Sequence, residues 1–280
     1  MCTLAVYTRS LPGLPLVVAA NRDEFYARPA TGPLLLAEEP RVLGGRDLVA
    51  GGSWLCVSER ELVVGVLNRR TGEPPDPARA SRGALCLELA RASSAAEAAE
   101  RLADVPPRLH NPFNVLVADR GRAFVAQNRD AGTVVEELPA GTHLLTNLNL
   151  NDSTCSRISR SARRFAEVGE RFAETGDASE LVGGLRAVLA DHLTALDDRQ
   201  PTDQLCIHTA LYGTRSSTIL LAPDVGPLLY LHASGPPCRR PHRRIPLPWN
   251  APGGGRGAIA LSADGSGSGR ARPRPRAPRS

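Results

Sequence analysis

The chain has 280 residues, 42% of them hydrophobic, which is enough to bury a substantial core and excludes both a disulfide-stapled miniprotein and a wholly disordered chain. Its formal net charge is +5, with every positive side chain an arginine, and ten of these arginines lie in residues 236–280 beside the single acid Asp264. Residues 1–235 therefore hold 24 arginines against 28 acids, which removes the main electrostatic support for specific nucleic-acid binding.

In chain order, residues 3–8 and 14–20 are two β-rich runs separated by Ser10-Leu-Pro-Gly13, and they predict a hairpin. Leu11–Ala20 is apolar but broken by Pro12, Gly13 and Pro15, so it reads as turn and strand rather than secretory leader. Leu48–Ser58 and Glu61–Asn68 predict a second hairpin, and residues 71–81 a Pro- and Gly-rich loop. Residues 82–103 have a helical pattern that includes Ser94-Ala-Ala-Glu97 at capping-box spacing. Phe113–Asp119 and Ala123–Gln127 predict a third hairpin, residues 153–175 and 178–196 two helices, and Thr218–Ala222 with Pro227–His232 a last hairpin. Hairpins with helices inserted between them define an α+β layered fold built on antiparallel sheets. The composition changes after Gly235. Residues 236–280 contain nine prolines and seven glycines and predict a disordered tail behind a folded domain of residues 1–235.

The six cysteines are Cys2, Cys56, Cys86, Cys155, Cys206 and Cys238, none in a CxxC pair. Cys206-Ile-His208 and Cys238…His242 are short spacings without a second half, so neither a metal site nor a required cofactor is expected. The cysteine usage and the lack of an apolar run of membrane-spanning length fit a reduced, cytoplasmic protein with no transmembrane segment.

Two features carry chemistry. In Met1-Cys2-Thr3, removal of the initiator methionine places a thiol beside its own α-amine, so nucleophile and base occupy one residue. Asn21-Arg22-Asp23 follows the second strand, which the hairpin brings back beside residue 2. There Arg22 is expected to favour the thiolate, Asp23 to accept a hydrogen bond from the α-ammonium, and Asn21 to donate to a substrate.

Met-Cys followed by Ala20-Asn-Arg-Asp-Glu-Phe25 resembles the NRDE family, also called Transport and Golgi organisation 2 homologues. The likeness continues through Arg28-Pro29, Gly44-Gly-Arg-Asp47, Ala50-Gly-Gly-Ser-Trp-Leu55, Val66-Leu-Asn68, Ser81-Arg-Gly83, Leu145-Thr-Asn147 and Tyr212-Gly-Thr-Arg-Ser-Ser-Thr218. That family is similar in fold to N-terminal-nucleophile hydrolases of the choloylglycine hydrolase and penicillin V acylase type, which implies an αββα sandwich of two antiparallel sheets with flanking helices. The resemblance implies Cys2 as nucleophile, Asp23 as the residue that positions the N-terminus, Asn68 as an oxyanion donor, Asn147 as a second active-site asparagine and Arg215 as a remote arginine. It also implies two functions for a site that takes a small molecule: hydrolysis of a small acyl-amide, or non-catalytic haem, lipid or acyl-CoA trafficking. With haem as the ligand, His110, His143, His192, His208 and His232 each read as ordinary histidines rather than as axial donors. A third function is polyanion or anionic-lipid binding by the basic tail.

Overall fold

Both faces of the N-terminal strands are apolar, and the fold covers both. The structure, a computed structural model, describes residues 2–129, 132–192 and 203–250. Strand β1 (Thr3–Leu11) turns at Pro12-Gly13 into β2 (Leu14–Phe25), as the sequence predicts, with Thr3 opposite Asn21 and Val6 opposite Val18. Side chains alternate between the faces of a strand. Leu4, Val6, Leu16 and Val18 consequently enter one core, while Ala5, Tyr7, Val17 and Ala19 enter another.

The chain then builds a second sheet from β3 (Ala30–Glu38), β4 (Arg41–Asp47), β5 (Leu55–Ser58) and β6 (Val63–Asn68). After two helices this sheet is completed by β7 (Phe113–Ala118), β8 (Ala123–Arg129) and β9 (Gly132–Glu137), seven antiparallel strands paired strictly with their neighbours in sequence. The helices are α1 (Arg82–Leu89) and α2 (Ala95–Ala103), not one helix over 82–103. Ser94 starts α2 by accepting a hydrogen bond from the Glu97 amide, so the capping-box spacing marks a new helix inside the predicted one.

Strand β10 (Gly141–Leu145) returns to the first sheet, followed by α3 (Ser156–Thr175), α4 (Ala178–Leu189), β11 (Tyr212–Ala222), β12 (Leu229–Ala233) and β13 (Arg243–Ile245). The order of that sheet is β10-β1-β2-β11-β12-β13. A central core lies between the two sheets, α3 and α4 cover the outside of the first, and α1 and α2 cover the outside of the second. The resulting fold is an α+β, αββα sandwich with two antiparallel sheets and four helices.

Two boundaries are corrected. Residues 48–54 form a loop between β4 and β5, so the expected strand from Leu48 begins only at Leu55. The expected domain end at Gly235 falls inside packed structure, because β13 pairs with β12, Leu247 is buried and Trp249 packs on the inter-sheet core. Ile245, Leu247 and Trp249 occupy alternate positions, a strand-like apolar period that the Pro- and Arg-rich composition of the tail conceals. Residues 251–280, the remainder of the expected disordered tail, lie outside the described residues, as do residues 193–196 of the predicted second helix.

Candidate active site

The pairing of β1 with β2 places Cys2 next to Arg22 on the inter-sheet face, and Cys2 is partly buried against the central core. The Arg22 guanidinium lies flat on the Trp54 ring at 4.1 Å and reaches Asp47 at 3.3 Å. Trp54 takes this position because β4 has no side chain at Gly45, where a Cβ would sit 2.3 Å from the indole ring. Asp47 anchors the group. It receives a two-pronged contact from Arg28 at 2.6 Å on Oδ2 and 3.1 Å on Oδ1, and the Val49 and Ala50 amides also donate to Oδ1. Burial opposes the Asp47 charge, but the Arg28 contact and the two amides outweigh it and hold the carboxyl below its ordinary range.

Around Cys2 the balance goes the other way. Burial pushes the thiol up, and the Asp23 carboxylate adds to this, while the Asp23 backbone N–H and the Arg22 charge oppose it without prevailing. With Met1 still attached, desolvation outweighs both the charge of the chain N-terminus and that of Arg22, against the expected depression of the thiol. Met1, whose removal is expected, lies outside the described residues.

Asn21 and Asp23 project from the other face of β2, toward α3 and α4. Asp23 is 2% exposed, with its Oδ1 accepting a 2.6 Å hydrogen bond from the Thr214 hydroxyl on β11 and its Oδ2 lying 3.7 Å from Arg157. Burial raises its carboxyl to about 6, against the opposing pull of Arg157 and Thr214. Arg157, in the first turn of α3, also donates to Thr3 Oγ1 at 3.2 Å and to Asn147 Oδ1 at 3.1 Å. Asn147 in turn donates from Nδ2 to the backbone carbonyl of Asn68 at 2.7 Å. A continuous polar chain thus runs from Asp23 through Arg157 and Asn147 to the end of β6.

Cys2, Asp23, Asn68 and Asn147 all line one cleft of about 720 Å³, together with Arg22, Arg28, Asp47 and residues 75–83. That volume lies within the range of small-molecule sites. The cleft wall depends on Gly52, where a Cβ would come within 2.1 Å of the Gly83 backbone at the start of α1. Beside Cys2 a smaller recess of about 20 Å³, lined by Leu4, Ala20, Leu55 and Leu67, has room for about one water-sized group.

The structure brings Cys2, Arg22, Asp23, Asn68 and Asn147 together and gives two predicted residues other work. Asn21 Nδ2 donates to the carbonyls of Leu189 and Leu205 at 2.8 Å each, so both of its N–H groups tie the end of α4 to the segment entering β11, not to a substrate. Arg215 donates to the carbonyls of Phe25, Tyr26 and Arg28, bracing the turn after β2. Among the described residues none of the five histidines weighed as haem donors lines the cleft. His110, His143 and His232 are buried and bonded to Ala80 O, Pro139 O and Thr218 Oγ1. Sequence reasoning missed Arg157. Its signal is position: Arg157, Ser161 and Phe165 share one buried helix face, where a charge requires a buried partner.

Two antiparallel sheets packed face to face and covered by helices on both outer sides have the fold of the N-terminal-nucleophile hydrolases. Solved structures agree: penicillin V acylase from Agrobacterium tumefaciens superposes with a TM-score of 0.53 at 12% identity, covering 83% of each chain. The Caenorhabditis elegans N-acylethanolamine-hydrolyzing acid amidase ortholog superposes at 0.52 and 16% identity, covering 80% of this chain and 94% of its own. The C2A mutant of conjugated bile acid hydrolase from Clostridium perfringens gives 0.51 at 10%, covering 94% and 99%. The family model described as Transport and Golgi organisation 2 matches residues 1–231, and the chain belongs to that family. The mouse Transport and Golgi organization 2 homolog is 26% identical over 242 residues, covering 78% of this chain and 86% of its own; the Bos taurus homolog is 27% identical over 240 residues with the same coverage.

Proposed function

We propose that this protein is a cysteine amidohydrolase of the N-terminal-nucleophile type that cleaves the C–N bond of a small acyl-amide in the cytoplasm. One observation carries the reading: Cys2 lines a cleft shared with Asp23, Asn68 and Asn147, and its thiol receives the Asp23 backbone N–H near the Arg22 cation. The six free cysteines suit a reducing compartment. The structural neighbours are by name an acylase, an amidase and a hydrolase, which is support by fold analogy.

In the proposed reaction Met1 is removed and the Cys2 α-amine takes the thiol proton as the sulfur attacks the acyl carbon. The Asn68 side-chain amide stabilises the tetrahedral oxyanion, and Asp23 and Arg157 position the N-terminus. The C–N bond breaks as the α-ammonium returns the proton to the leaving nitrogen, and water then hydrolyses the thioester to free acid and thiol. The recess beside Cys2 suits a short acyl group, and the wide, charged cleft suits a polar amine portion.

The test is intact mass, to establish Met1 removal, followed by a panel of acyl-amino-acid and acyl-thioester substrates with haem titration in parallel. Wild type releases acid, Cys2→Ala does not but retains ligand binding, and Asn68→Ala loses roughly 10²–10³-fold in turnover. Tight haem binding that Cys2→Ala weakens, with no hydrolysis across the panel, overturns the proposal in favour of a carrier.

A further inference from the structure

On the far side of the first sheet from the cleft, four metal-ligating side chains converge from three segments. They are His192 just beyond α4, Cys206 and His208 on the run entering β11, and Cys238 after β12, with one ligand atom from each lying within 4.8 Å of all the others. The sequence shows Cys206-Ile-His208 and Cys238…His242 as two separate short spacings, with no metal site expected from either. The fold joins the first to His192 and Cys238, and not to His242, whose Nε2 is 3.1 Å from the Ser217 hydroxyl.

The three distances among Cys206, His208 and Cys238 match a tetrahedron's edges, and His192 lies within 4.8 Å of each. Zinc–sulfur bonds near 2.3 Å and zinc–nitrogen bonds near 2.05 Å at tetrahedral angles put two sulfurs about 3.8 Å apart and a sulfur and a nitrogen about 3.6 Å apart. Cys206 Sγ and Cys238 Sγ are 3.6 Å apart, and His208 Nε2 is 3.6 Å from the first and 3.3 Å from the second. His192 is already oriented. Its Nδ1 lies 2.9 Å from the Cys206 carbonyl, which only accepts, so Nδ1 carries the hydrogen and the lone pair is left on Nε2. A backbone carbonyl holding the second ring nitrogen is the usual support of a metal-bound histidine. Cys206 is buried and His192 exposed, which gives the cluster a dry floor and an entry from solvent.

We infer that His192, Cys206, His208 and Cys238 form a structural zinc site. A tetrahedral S₂N₂ donor set selects Zn²⁺ over the oxygen-preferring divalent cations. Binding forms two Zn–S and two Zn–N bonds and releases the two thiol protons, so the Zn²⁺ charge is balanced by two thiolates. The ion pins the segment after β12 and the segment entering β11 to the end of α4, the same junction that Asn21 holds from inside. With four protein ligands it has no open position, which makes it structural rather than catalytic.

The experiment uses the full chain without a polyhistidine tag, purified in reductant and without chelator. Elemental analysis is expected to find one zinc per chain. After zinc is stripped, Co²⁺ alone is expected to restore a thiolate-to-cobalt charge-transfer band with intense tetrahedral visible bands. Cys238→Ser is expected to lose both signals. His192→Ala, at an exposed position, is expected to keep the wild-type far-UV spectrum and bind zinc at least about tenfold more weakly against a chromophoric chelator. Zinc-free protein with both thiols open to alkylation overturns the inference. A cobalt spectrum without charge transfer, or a Cys206–Cys238 disulfide in protein isolated under alkylating quench, overturns it equally.

Discussion

Replacing Arg157 with alanine takes a guanidinium out of a site where it is 4% exposed and Asp23 fully enclosed. It removes the charge 3.7 Å from Asp23 and the hydrogen bonds to Thr3 and Asn147. Breaking a buried pair from one side costs about 3–5 kcal/mol, which for a domain of this size is a fall in Tm of roughly 6–20 °C. The pH dependence identifies the cause. Burial raises Asp23 from its ordinary 3.8 to about 6 in the folded protein, with Arg157 and the Thr214 hydroxyl restraining the rise. The folded state holds this proton more tightly than the unfolded chain. The stability it contributes, roughly 3 kcal/mol, is fully present below the unfolded value and lost as pH rises through the folded one. Without Arg157 the folded value climbs further, and the loss extends above pH 6. The deficit of Arg157→Ala against wild type is thus expected to be smaller near about pH 5, where Asp23 is mostly protonated and only the hydrogen bonds to Thr3 and Asn147 are lost, and full near about pH 8. Calorimetry at both pH values measures it, with Arg157→Lys, which keeps the charge and loses the fork, falling between. A deficit of equal size at the two pH values would refute the charge argument, and one below about 1 kcal/mol would refute the buried pair altogether.

Asn21→Ala leaves the Leu189 and Leu205 carbonyls without their donor and is expected to cost roughly 2–4 kcal/mol in urea unfolding, while kcat of the protein that remains folded stays near wild type. Gly52→Ala drives a Cβ to 2.1 Å from the Gly83 backbone, where no rotamer gives relief; a loss of roughly 1–3 kcal/mol is expected, and ligand affinity falls as the cleft wall shifts. Truncation after Gly235 removes β13, Leu247 and Trp249 and is expected to lower Tm measurably, where an unpacked tail would leave it unchanged.

The pairing of Cys2 with Arg22 and Asp23 is legible because a Pro-Gly turn between two apolar runs fixes the register, and register fixes which residues meet. The first strand pair, β7 with β8, and the helical face of α3 are legible for the same reason, each having one strong period bounded by turn residues. Strands β3 and β4 are hidden by Pro33 and the Gly44-Gly45 pair, of which Gly44 packs against Leu55 and Cys56 and Gly45 beneath Trp54. The direction of the Cys2 shift depends on how much protein encloses it, which a neighbour count along the sequence misses. Asn21 reads as a substrate donor because its partners, Leu189 and Leu205, are 168 and 184 residues away.

The sheet orders also set a timetable for assembly. The second sheet comes from one continuous stretch, residues 30–137, every strand pairing with the one made just before it. The first is closed by strands from both ends of the described chain, Asp23 meeting Thr214 across 191 residues. Local pairings form ahead of distant ones, and chains emerge from the ribosome N-terminus first. Cys2 is therefore made well before β10 and β11, the strands that complete its surroundings. The β1–β2 ribbon waits, with both edges open, until β10 and β11 arrive to flank it. A nascent chain stalled before residue 212 would present Cys2 without the threonine that holds Asp23, and the cleft would take its final form only once β11 had been made.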